Sequence, residues 1–239
     1  MRTTRKADEL RPLSIEPAVA KFAAGSARIA LGDTIVLCTA SLSEGVPRWL
    51  RGSGRGWLTA EYSMLPGATP TRTAREAVRG RQSGRTMEIQ RLIGRSLRSV
   101  VDLGSVGERT IAVDCDVLQA DGGTRTASIT GAYVAVYQVA LKIKDLLGLN
   151  EVPLFDSLSA ISVGVVDGRT LLDLDYEEDS AAAVDMNVVM TGAGKLVEVQ
   201  ATAEGEPYAR ETLSEMLDLA AAGAAAPAAA QTAAVEALG

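Results

Sequence analysis

The 239-residue chain contains no histidine. That excludes Ser-His-Asp and Cys-His nucleophilic machinery, imidazole general bases and histidine-ligated metals. Only two cysteines occur, Cys38 and Cys115, each in an apolar run rather than beside another thiol, so neither a disulfide framework nor a zinc site is expected. Acid and base chemistry must rest on carboxylates. No stretch offers the roughly 18 consecutive apolar residues of a membrane span. The start, MRTTRKADELRP, is charged from its second residue and lacks the apolar segment of a leader, so a cytoplasmic location is expected.

What is present describes a folded protein. Apolar residues make up 47% and charged residues 23%, which argues against disorder and fibrous repeats, and the length suits one large domain or two modest ones. The charge is unevenly placed. Residues 1–100 hold 17 Lys+Arg against 8 Asp+Glu, whereas residues 101–239 hold 7 against 22. Of the 24 basic residues 19 are arginine, and eight of these lie between Arg72 and Arg98. Arginine suits bidentate phosphate recognition. A basic lane on an acidic body fits a confined, phosphate-bearing substrate better than nonspecific coating of duplex nucleic acid.

Alternating apolar runs predict strands at 26–31, 34–40 and 58–65, with Gly32-Asp33 as a hairpin turn and 43–56 as a long Gly- and Arg-rich loop. From Arg85 the period becomes helical: Ile89, Leu92, Ile93, Leu97 and Val100 share one face, and Arg91, Arg95 and Arg98 share the other. A strictly alternating strand at 110–118 then runs through a Gly-rich turn into a long apolar helix ending near Leu147 and Gly148. Residues 147–157 read as a linker, dividing the chain into 1–147 and 148–239. Beyond it, strands at 160–166 and 169–175 flank the turn Asp167-Gly168, two more flank Gly-Ala-Gly at 192–194, and the end is helical, with Pro227 at a first helical position.

Three clusters could carry chemistry. In DGGTRTASITGA (121–132), Gly122 and Gly123 turn the chain sharply into a helix whose free amides, with Thr124 and Arg125, face the place an anion would occupy. Arg79, Arg81 and Arg85 precede or begin a second helix. Asp173, Asp175, Glu177, Glu178, Asp179 and Asp185 form an acidic segment able to supply Mg²⁺ ligands or a proton donor. Each cluster taken alone also fits a plain capped helix start or a solvated loop. The nucleotide motifs fail: TGAGKL (191–196) has Val189 where a phosphate loop needs its first glycine, and Leu196 where it needs Ser or Thr.

Taken together, IVLCTAS (35–41), EGVPRW (44–49), GWLTAEYSMLP (56–66), GRTMEIQRLIGRSLR (84–98), DCDVLQADGGTRTASITGA (114–132), YEEDSAAAVDMNVVMT (176–191) and ATAEGEPYAR (201–210) resemble the ribonuclease PH family. The resemblance runs in order across nearly the whole chain. It implies an α/β (α+β) fold, a ribosomal-protein-like left-handed βαβ core followed by a smaller α/β part. It implies a phosphate site at Arg85, Gly123, Thr124 and Arg125, essential and metal-binding carboxylates at Asp179 and Asp185, and RNA-contacting or interface arginines at Arg72 and Arg75. The implied activity is phosphate-dependent 3′ to 5′ trimming of tRNA precursors, with inorganic phosphate as co-substrate, Mg²⁺ as cofactor, nucleoside 5′-diphosphates as products and a homo-hexameric ring of dimers as the assembly. Thr4, Pro70 and the alanine-rich end depart from the family pattern. Two other readings compete: an RNA-threading scaffold without a working site, and a metal-dependent hydrolase.

Overall fold

The computed structural model describes residue 2 and residues 5–238; Thr4 lies outside the described residues. Among the described residues, nine strands make two sheets. The first is ordered β1-β2-β3-β5-β4, from β1 (Leu13–Pro17), β2 (Gly25–Leu31), β3 (Thr34–Glu44), β4 (Trp57–Met64) and β5 (Arg109–Gln119). All its neighbours are antiparallel except β4 and β5, which run parallel. Parallel neighbours need a crossover, and here it contains α1 (Glu76–Arg79), α2 (Gly84–Arg98) and α3 (Leu103–Val106).

The chain then enters α4 (Thr124–Leu147) and continues through β6 (Leu158–Val166), β7 (Arg169–Leu172), α5 (Tyr176–Ala181), β8 (Val184–Thr191) and β9 (Leu196–Ala203) to α6 (Arg210–Gly223) and α7 (Ala225–Glu236). The second sheet is antiparallel, in the order β7-β6-β8-β9. The layers follow from which faces are apolar. In β5, Ile111, Val113, Cys115 and Val117 are buried while Asp114 and Asp116 point away, so one face of the first sheet must be covered. It is covered by α4 and α2, whose Ile89, Leu92, Ile93 and Leu97 are also buried. Each such side chain contributes about 1.5–3 kcal/mol by leaving water.

The opposite flank of α4 meets the second sheet, where Leu158, Ala160 and Val189 join the same core. The far face of that sheet, with Val184, Met186, Val188 and Met190, packs on Met216 and Ala220 of α6. Helix α4 is therefore buried over most of its length, which explains why its sequence is apolar all round. The final helix serves packing: Gln231 donates to the Thr130 carbonyl at 2.8 Å and the Leu158 carbonyl at 2.7 Å, fastening α7 to α4 and β6. Pro227 lies in the third position of α7 rather than the first.

Most expected boundaries hold within about two residues, as such boundaries do. Strand β1 and the short helices α1 and α3 have no counterpart in the expected elements, and the acidic segment contains a helix, α5. The basic face of α2 is not a continuous lane. Arg95 pairs with Glu198 of β9, and Arg98 donates to the Leu58 carbonyl at 3.0 Å while stacking on Trp57 at 4.6 Å.

Candidate active site

Parallel β4 and β5 deliver their C-terminal ends to one side of the first sheet, and α2 and α4 begin there. The turn after β5 reverses through Gly122 and Gly123, at φ +70° and +66°, which glycine adopts without a Cβ penalty. At Gly122 the glycine is also required for space. A Cβ would lie 2.6 Å from the Leu174 carbonyl oxygen and the Asp175 carbonyl carbon. The Gly-rich turn thus rests directly on the backbone that enters α5.

Helix α4 starts at Thr124 with no side-chain cap on its Gly123 N-cap, leaving first-turn amides for an incoming anion. Thr124 is buried, and its hydroxyl accepts a 2.9 Å hydrogen bond from Tyr62 of β4. Arg125 is held in place by Gln200 of β9, 3.1 Å away, and by Glu88 of α2 at 3.5 Å. Arg85 occupies the second position of α2, after a Ser83 N-cap whose hydroxyl accepts from the Thr86 amide.

The carboxylates arrive from the second sheet. Asp179 lies on α5 and Asp185 on β8, opposite Gly164 and Thr202. Desolvation in the cleft pushes the Asp179 carboxyl above its ordinary value against the pull of Arg85 and Arg125. Desolvation and then the neighbouring Asp179 charge push Asp185 up as well, again opposed by Arg125 and Arg85. Glu204 adds like charge to both. The same two arginines also act on Tyr62. Arg85, Arg125, Asp179 and Asp185, separated by up to 100 residues in sequence, therefore share one electrostatic environment.

The remaining acidic candidates do other work. Asp173 is 1% exposed at φ +54° and pairs with Arg11, which is itself 6% exposed: guanidinium nitrogens reach its two oxygens at 2.7 and 3.0 Å. Removing one partner of such a buried pair costs about 3–5 kcal/mol. Glu178 binds Arg2 at 2.7 Å and Arg5 at 3.2 Å, and with Asp175 it forms the capping box of α5. Glu177 is exposed. The six-carboxylate segment thus splits: Asp173 and Glu178 pair with arginines of the N-terminal segment, whereas Asp179 and Asp185 feel the charges of Arg85 and Arg125.

Arg72 and Arg75 stand apart from Arg125, Asp179 and Asp185. Both are exposed on the arm before α1 and line a cavity of about 1280 Å³ that Arg85 also borders. Its opposite wall carries Glu61, Asp114 and Asp116 on the outer face of the first sheet. Arg79 and Arg81 lie along the same arm. Sequence reasoning missed Arg11, Tyr62, Gln200 and Glu204, since none stands in a charge cluster; Gln200 directly precedes the recognisable ATAEGEPYAR.

Comparison with known proteins shows the family. The 3′ exoribonuclease family, domain 1, matches residues 9–142, and domain 2 of the same family matches residues 156–223. The chain belongs to the 3′ exoribonuclease family. It is similar to ribonuclease PH of Moorella thermoacetica, with 60% identity over 215 residues, covering 90% of this chain and 86% of that one. Among solved structures, an Archaeoglobus fulgidus exosome with RNA bound to the active site aligns at TM-score 0.76 and 25% identity, over 91% of this chain and 87% of that one. Rice (Oryza sativa) Rrp46 aligns at TM-score 0.79 and 19% identity, over 97% and 98%, a likeness of fold. The activity of the chain is phosphate-dependent 3′ to 5′ exoribonucleolysis of the ribonuclease PH kind, a nucleotidyl transfer in tRNA processing. RNA and inorganic phosphate are its substrates. Among the described residues, no helix is long and apolar enough to cross a membrane.

Proposed function

We propose that Arg85, Arg125 and the amides of Thr124 and Arg125 hold the attacking phosphate, with Gly123 setting the turn that exposes those amides. The observation that carries this reading is the convergence of two arginines at helix starts with Asp179 and Asp185. A phosphate oxygen attacks the 3′-terminal phosphodiester in line, the P–O3′ bond breaks, and the terminal nucleotide leaves as a nucleoside 5′-diphosphate. The cations offset the repulsion between two anions. The shortened RNA needs a proton on its 3′-oxygen, and Asp179 delivers it, a role suited to a carboxyl raised by desolvation. One phosphate linkage replaces another, so excess diphosphate extends RNA.

Two carboxylates raised by desolvation, Asp185 also by the charge of Asp179, suit Mg²⁺, which takes one or two carboxylates and fills its remaining positions with water and phosphate oxygens. Asp185 would hold it, and Asp179 would share it only when ionised, in place of its role as proton donor. When bound, the metal neutralises charge on the phosphorus undergoing transfer. The basic elements fall in residues 1–147 and both carboxylates in 148–239, so we treat these as the two functional domains.

The substrate is a tRNA precursor, gripped by a homo-hexameric ring of dimers. One subunit carries a short basic stretch on a net negative body, and repeating the Arg72–Arg75 arm around a ring multiplies contacts by effective concentration. The deciding experiment incubates a tRNA carrying extra 3′ nucleotides with and without phosphate. Diphosphate products that require phosphate support the reading; monophosphates formed equally well without it would point to hydrolysis. A chain that binds RNA and releases neither product would be a scaffold.

A further inference from the structure

Arg11 lies outside the cluster just described, yet it touches both of its halves. Its side chain is almost wholly buried, and every polar contact it makes is to one of two loops. One nitrogen, Nη1, donates to the Asp121 carbonyl at the head of the Gly-rich turn and lies 3.7 Å from the Asp121 carboxylate. The others, with the Arg11 amide, hold Asp173 and the Leu174 carbonyl on the segment that leads into α5, at 2.7–3.2 Å. Asp121 closes the circuit by accepting from the Tyr176 amide at 3.3 Å. The planar fork of arginine can span two loops in this way; a lysine ammonium cannot.

We propose that Arg11 is a positioning residue, a bridge that fixes the phosphate-binding turn against the carboxylate-bearing helix and so sets the distance between nucleophile and proton donor. Three features make it a bridge and not a plain core pair. It binds backbone carbonyls of both loops; those loops are in direct contact at Gly122; and its Nη2 lies where a Cβ on Gly123 would come within 3.1 Å. Arg5 provides an internal contrast. It also contacts Asp173 and Glu178, at 3.3 and 3.2 Å, but its polar contacts include none to the Gly-rich turn. The inference rests on the phosphate-site reading above.

The test compares Arg11→Lys, Asp173→Asn and Arg5→Ala with the parent, in full-length protein, by phosphate and short-oligonucleotide saturation alongside thermal melting. Arg11→Lys keeps the buried charge opposite Asp173 but loses the span. Asp173→Asn keeps an acceptor at a left-handed position that asparagine tolerates, so it remains informative if the lysine variant does not fold. A misplacement of about 1 Å costs roughly a hundredfold in rate, so kcat/KM for phosphate should fall by about ten- to a hundredfold in Arg11→Lys and in the same direction in Asp173→Asn. The oligonucleotide KM should stay at the parent value. Arg5→Ala should lower the melting temperature and change kcat/KM for phosphate far less than Arg11→Lys does. A parent-like phosphate dependence in both Arg11→Lys and Asp173→Asn would overturn the inference, as would a loss that tracks melting temperature in all three variants. A parent that ignores phosphate would instead sink the functional reading beneath it.

Discussion

Replacing Gly122 by alanine tests the contact between the two halves of the site most directly. Two costs follow from the structure. The backbone is left-handed at φ +70°, which costs an L-residue about 1–2 kcal/mol. In addition, the new Cβ would sit 2.6 Å from backbone atoms of Leu174 and Asp175, which cannot swing aside as a side chain does. Restoring ordinary contact, which begins at 3.4 Å, requires the turn and the segment before α5 to part by about 0.8 Å (3.4 − 2.6). A shift near 1 Å costs reactions of oriented groups roughly a hundredfold. Gly148→Ala is the matched control: it has φ +63° and nothing within 4 Å of the added carbon, so it carries the strain without the overlap. For a chain of this size each kcal/mol lowers the melting temperature by about 2–4 °C. Gly148→Ala should therefore melt lower and phosphorolyse normally, whereas Gly122→Ala should melt lower still and lose about two orders of magnitude in kcat/KM for phosphate. Phosphorolysis of a short oligonucleotide at graded phosphate, with parallel melting curves, reads both. A Gly122→Ala enzyme as fast as Gly148→Ala would refute the reasoning that the contact sets the site.

Arg125→Ala should weaken phosphate use by about ten- to a hundredfold, the worth of a charged hydrogen bond of roughly 1.5–3 kcal/mol, with the melting curve little changed; phosphate titration of the rate checks it. Asp179→Asn and Asp185→Asn should each remove most turnover while RNA binding, followed by filter retention, persists. Both carboxyls are raised, so ionising them opposes folding: their contribution favours the native state at low pH and is lost as pH rises through their folded-state values. Asp185→Asn should accordingly melt no lower than the parent at neutral pH, and activity should fall off on the acid side as Asp185 takes up a proton, at a pH above that carboxyl's ordinary value. The Arg72→Ala, Arg75→Ala double variant should lose tRNA trimming far more than phosphorolysis of a short oligonucleotide; sedimentation would show whether the assembly also breaks down.

The architecture was legible wherever burial leaves a period. Alternation in 110–118 and the three- and four-residue spacing after Arg85 both correspond to faces packed on α4. Strand β1 escaped because it is an edge strand of five residues ending in proline, too short for a period to show. Helix α5 escaped because its stability comes from a capping box and from Arg2 and Arg5, contacts made from the far end of the chain. The site was half legible. Helix-start glycines and arginines announce an anion site locally, but six carboxylates within thirteen residues look alike until the fold assigns Asp173 and Glu178 to arginine partners and leaves Asp179 and Asp185 under the charges of Arg85 and Arg125. Family resemblance, not spacing, separated them. Gln200 and Arg11 gave no local sign, since their roles exist only across tertiary contacts.

The confinement of α4 determines which component moves during successive cleavages. Its 24 residues span about 36 Å, and its sides are seated against both sheets: Thr130 receives the Ala160 amide at 3.1 Å, Gln138 holds both backbone groups of Ser26, and the thiols of Cys38 and Cys115 converge on the Ser128 carbonyl. A helix gripped on opposite flanks cannot slide along its axis without breaking these contacts together. The helix start proposed to hold phosphate therefore stays where it is when a nucleotide departs. Each cycle shortens the RNA by one unit, and the new 3′ end must advance by one nucleotide's length to meet a stationary nucleophile. That travel falls to the strand, and, if the exposed arginines from Arg72 to Arg81 hold its backbone as proposed, to their release of one phosphate for the next.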